Sequence, residues 1–163
     1  MKMILPGLVL ALAVVCSGCN ETSKPAAVAP HRHEHHPPHG GTPVVLGNEE
    51  YHLELVSDPA AGKLTAFVMD GELENFIRLA VPSFTVVVPE PAPERLLVFQ
   101  AVANGASGET VGDTSQFEAQ AQWLRTTTNF NAVLPLLAVR NKSYTNVAFN
   151  FPRGNDAGEE PGK

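Results

Sequence analysis

Cysteine is almost missing from this 163-residue chain: Cys16 and Cys19 are the only two, and both lie within the first nineteen residues. If those residues are removed or modified on maturation, no thiol remains, which excludes a disulfide framework and a cysteine nucleophile. Long apolar runs are missing too, since the longest, Ile4 to Val15, is too short to cross a bilayer stably. Basic charge is scarce, with 11 Lys and Arg against 17 Asp and Glu and a net charge of −6, a balance that disfavours nucleic acid as a partner. Catalytic signatures are absent as well. There is no G-x-S-x-G, no Walker loop and no H-E-x-x-H, because His33-Glu34-His35-His36 lacks the spacing that puts two imidazoles on one helix face. These absences lead us to expect a protein that is not an enzyme.

What is present begins with Lys2 and the apolar run, which together read as a secretory signal. Ser17-Gly18-Cys19 follows, small residues before a cysteine, and over its first twenty residues the chain resembles bacterial lipoproteins at their lipobox. Cys16 stands where that class usually carries leucine. The resemblance implies cleavage after residue 18 and lipidation of Cys19, with two or three acyl chains anchoring the protein in the membrane of the cell envelope. Asn20 after the cysteine implies the outer membrane, with the protein facing the periplasm. The mature chain of 145 residues would carry −7 once Lys2 is lost, and with 44% hydrophobic residues in the whole sequence it has material for one apolar core.

Residues 19–41 form a tether without apolar period, small and proline-containing at first and then reading His31-Arg32-His33-Glu34-His35-His36-Pro37-Pro38-His39-Gly40-Gly41. This strip holds five of the six histidines. Neutral imidazole ligates zinc, copper and nickel, and H-x-H and H-H spacings let neighbouring rings reach one ion. His31, His33, His35, His36 and His39 are therefore the candidate metal ligands, and Glu34 could add a carboxylate oxygen. The competing reading is an inert polar stalk on a non-catalytic interaction or structural module. The prolines and glycines predict a disordered strip, so a bound ion would change the thermal midpoint of the folded domain little.

From Thr42 the period becomes two. Val44-Val45-Leu46, Tyr51 to Leu55, Leu64 to Met69, Ile77 to Ala80, Phe84 to Val88, Leu96 to Val102, Gln116 to Gln120, Val133 to Val139 and Tyr144 to Phe151 read as strands, with a turn of helix around Trp123 and Leu124. About eight short strands separated by Gly, Pro, Asn and Asp turns predict an all-β, antiparallel β-sandwich over residues 42–152, and residues 153–163 read as a disordered tail. The last two strands are expected to join at Asn141-Lys142.

His39-Gly40-Gly41-Thr42, Val44-Val45-Leu46-Gly47, Tyr51-His52-Leu53-Glu54-Leu55-Val56, Asp58-Pro59 and Gly62-Lys63-Leu64-Thr65 carry a second resemblance. Residues 35–80 are similar to small His-rich bacterial lipoproteins and to a segment of the periplasmic adaptor proteins of heavy-metal efflux pumps. That resemblance implies metal handling and efflux or other envelope proteins as partners. The coiled-coil hairpin of those adaptors has no counterpart here.

His52 and Glu54 share a strand face and form a possible secondary ligand pair. A hairpin through Gly47-Asn48 would set His52 beside Val45, and at about 3.3 Å per residue it would lie roughly 20 Å from His39. His52 is thus expected at the surface or rim, hydrogen-bonded to Glu54. Trp123, Phe130 and Tyr144 are expected in the core or at the ends of the sandwich.

Overall fold

A computed structural model describes residues 36–155. Its strands are β1 (Thr42–Leu46), β2 (Tyr51–Asp58), β3 (Lys63–Asp70), β4 (Ser83–Val88), β5 (Arg95–Ala101), β6 (Gln116–Gln120), β7 (Phe130–Val139) and β8 (Lys142–Phe151). A 3-10 turn at Gln122–Arg125 follows β6, where the sequence places its turn of helix. No helix among the described residues is long and apolar enough to cross a membrane.

The strands are antiparallel and form one sheet in the order β1-β2-β3-β6-β5-β4-β7-β8. The all-β class and the eight short strands are as the sequence predicts. The two layers of the expected sandwich are opposite walls of one nearly closed sheet. Strict alternation makes this possible, because β1 and β4 bury every second residue and each strand sends one apolar face into a shared core. Val44, Leu53, Leu64, Val86, Leu97, Phe117, Leu134 and Phe149 meet there, one from each strand. Phe84 stacks on Phe99 with centroids 4.9 Å apart, and Phe117 tilts against Phe84 at 5.2 Å.

Closure between β1 and β8 is made largely by side chains. Thr42 donates its hydroxyl to the Pro152 carbonyl (3.0 Å) at one end. At the other, Glu50 accepts from the Tyr144 hydroxyl (2.6 Å) and from Lys142. Between them the Asn155 side chain does the work of a strand. Its Oδ1 accepts from the Val45 amide (2.7 Å) and its Nδ2 donates to the Val45 carbonyl (3.1 Å), so the polar groups of an edge strand are satisfied.

Three details differ from the sequence reading. Ile77 to Ala80 is not a strand: Ile77 donates its amide to Val68 and Leu79 to Thr114 (2.8 Å each), so the segment bridges two neighbours and is too short to form a ladder with either. The β7–β8 turn is Arg140-Asn141, one residue earlier than expected, since Val139 pairs with Lys142 and Arg140 takes the left-handed conformation at φ 54°. The fold also extends past 42–152. Residues 39–41 dock on β2 at the front. At the back, Gly154 and Asn150 exchange backbone hydrogen bonds, which brings Asn155 to β1.

Candidate functional site

Alternation along β2 sends Leu53 and Leu55 into the core and must turn His52 and Glu54 outward. The outward face is nevertheless covered, for His52 and Glu54 are both buried, at 1% and 0% exposure. His52 sits opposite Val45 on β1, as the hairpin predicts, and opposite Met69 on β3; Glu54 sits between Pro43 and Phe67. Met69 and Leu73 are buried as well. The expectation of a rim His52 bonded to Glu54 is thus corrected. The His52 Nδ1 lies 3.2 Å from the Asp70 carbonyl, and the Glu54 carboxylate is engaged by residues of the tether.

Those residues are held by a turn. The Gly40 amide donates to the Pro37 carbonyl (2.9 Å) and Gly40 has φ 67°, which puts Pro38 at the second position of a β-turn, His39 at the third and Gly40 at the fourth. Gly41 then lies flat on β2, where a Cβ would stand 2.7 Å from the Leu55 carbonyl and 2.8 Å from the Glu54 Cγ. Glu54 Oε1 accepts the amides of His39 (2.8 Å) and Gly41 (2.9 Å), and Oε2 is 2.8 Å from His39 Nδ1. The imidazole stacks on Phe67, centroids 4.0 Å apart and 10° from parallel, with Phe76 at 5.8 Å. While Glu54 keeps 0% of its side-chain exposure, His39 keeps 38%.

This arrangement fixes the ring chemistry. A carboxylate only accepts, so Nδ1 carries the hydrogen of this contact, and in the neutral ring the lone pair belongs to Nε2. Metal-ligating histidines are oriented by carboxylates in the same way. Such a ring could equally act as a general base; the nearby hydroxyls of Ser107 and Ser115 are donated to Glu109 (2.9 and 2.7 Å).

His39 borders a cleft of about 560 Å³ shared with Phe76, Arg78 and Glu109. Burial pushes the Glu109 carboxyl up, yet the Ser115 hydroxyl and amide, the Ser107 hydroxyl and the Arg78 charge together hold it below the usual carboxylate range. Arg78 also bonds Asp113 (3.1 Å) and the Ser107 carbonyl (2.6 Å).

Of the five predicted strip ligands, His31, His33 and His35 lie outside the described residues, as do Cys19 and Glu34. His36 is exposed three positions before His39. Among the described residues no three His, Cys, Asp or Glu side chains gather at one point. The role of Glu54 as partner of His39 escaped the sequence reading, although a signal existed: Pro38 and Gly40 are the turn residues of a β-turn around His39. Comparison with protein-family models, curated proteins and solved structures finds no match for the chain.

Proposed function

We propose that the protein is a non-catalytic, lipid-anchored protein of the bacterial cell envelope. It binds a divalent transition metal, zinc, copper or nickel, through its His-rich strip and serves as a metal buffer, scavenger or donor. Cys19 carries the anchor that places it in the outer membrane facing the periplasm. The observation that carries the reading is the pairing of His39 with buried Glu54, which prepares Nε2 as a ligand at the foot of a strip with four more histidines. His39 supplies the fixed ligand. His31, His33, His35 and His36 complete the coordination, all of them imidazoles of the kind these metals prefer. Efflux or other envelope proteins are the partners that would receive the ion.

A second reading is favoured by a separate observation. Leu96, Val87, Val133 and Ala148 lie in one register row across β5, β4, β7 and β8, and Leu96 is 58% exposed, so the outer wall could serve an interaction module on an inert stalk. Metal titration by calorimetry separates the two. Glu54→Gln keeps an acceptor for the two amides but turns an amide donor toward Nδ1, which shifts the ring proton to Nε2. The metal reading predicts that this variant binds about 10- to 100-fold more weakly and that changing all five strip histidines to serine abolishes binding. Equal binding by wild type and both variants leaves only the stalk.

A further inference from the structure

At the end of the sheet where β7 begins and β8 ends, a cleft of about 540 Å³ opens between the β4–β5 loop and the start of β7, lined among others by Pro91, Arg95, Trp123, Asn129, Asn131 and Arg153. Its polar chemistry is one-sided, and Asn150 makes it so. The Asn150 Oδ1 accepts from Arg153 Nε (3.0 Å), which can only donate, and its Nδ2 donates to the Phe130 carbonyl (3.3 Å), which can only accept. The orientation of this amide is thereby fixed. Its Nδ2 also faces Oδ1 of Asn129 (3.0 Å) and of Asn131 (2.9 Å), so with the Phe130 carbonyl three acceptors share its two hydrogens; both neighbouring amides turn their oxygens toward Asn150 and leave their Nδ2 groups as donors.

The two guanidiniums add to the excess of donors. Arg95 lies over the Trp123 ring, its Cζ 5.0 Å from the centroid, a cation–π contact that occupies none of its N–H donors with an acceptor. Neither Arg95 nor Arg153 has a carboxylate at ion-pair distance among the described residues, in contrast to Lys63, Arg78 and Lys142 though in common with Arg125 and Arg140. Glu90 is the one carboxylate in the lining. A chain of net charge −6 therefore gathers, in one cleft beside an aromatic wall, two amide donors and two guanidiniums that have no ion pair among the described residues.

From this we infer a binding site for an acidic sugar, a sugar carboxylate or sugar phosphate. Its oxyanion takes the guanidinium edges, its hydroxyl oxygens accept from Asn129 and Asn131, and its ring lies along Pro91, beside the Arg95–Trp123 pair. Guanidinium is the side chain best matched to such planar, two-oxygen contacts.

Trp123 is the sole tryptophan, so intrinsic fluorescence reports from the cleft itself. The full chain is titrated at constant ionic strength with glucuronate, glucose 6-phosphate, glucose and inorganic phosphate. We expect a saturable change with glucuronate or glucose 6-phosphate, and binding at least tenfold weaker for glucose and for inorganic phosphate. Arg153→Gln, and separately Arg95→Gln, which leaves the Asn150 hub in place, should each weaken acidic-sugar binding at least tenfold, with thermal midpoints confirming that both variants fold. No saturable change with either acidic sugar, equal binding of inorganic phosphate, or unchanged affinity in both folded variants would overturn the assignment.

Discussion

Glu54 keeps a carboxylate out of water by engaging both oxygens, and such a group is tolerated only where hydrogen bonds replace its hydration. Glu54→Ala would leave the His39 and Gly41 amides without their acceptor and release the turn from β2. The expected loss is about 2 to 3 kcal/mol, read from urea unfolding; Glu54→Gln should lose much less. Glu109 gives a prediction in pH. Its folded-state pKa is depressed, so its contribution is present above the unfolded value and is lost as pH falls through the folded one. Ser115→Ala removes one of the bonds responsible. That variant should be less stable than wild type by about 1 to 2 kcal/mol at pH 7, and the gap should narrow in unfolding measurements below about pH 4. A gap that stays constant with pH would mean that Ser115 acts through packing alone.

At the scale of elements, the seam between β1 and β8 depends on Asn155. Asn155→Ala strips both edge groups of Val45 of their partners, and a loss of about 1 to 3 kcal/mol is expected, with faster amide exchange at Val45 as the local signature. Alternation made most of the strands legible in the sequence, and the pairing of His52 with Val45 followed from one hairpin turn. Two kinds of contact were not legible. A tail of glycine and charge gives no sign that Asn155 will substitute for a strand, because that contact spans 110 positions. Alternation names the outward face of β2 but not what covers it, so His52 and Glu54 read as rim residues. The docked turn at residues 37–41 covers Glu54, and Gly41 can lie there only because it has no side chain to strike the Leu55 carbonyl, whereas His52 is buried beside Met69 and the Asp70 carbonyl.

On the scale of the whole molecule, the proposed metal binding would join a His-rich strip to a fold that fixes one of its imidazoles. Within the strip, His39 is carried on the domain by Glu54 and Phe67. Metal bound through His39 should therefore favour the folded state and raise the thermal midpoint by a few degrees. This departs from the expectation that a wholly disordered strip leaves the domain indifferent. The most direct measurement is of the histidine ring nitrogens themselves, by long-range proton–nitrogen correlation spectra of the labelled protein during zinc titration. The account predicts that, before metal, His39 carries its proton on Nδ1, and that zinc shifts its Nε2 while Nδ1 stays protonated and bonded to Glu54. A His39 ring that is protonated on Nε2 in the free protein, or whose nitrogens do not respond while the other histidines do, would contradict it.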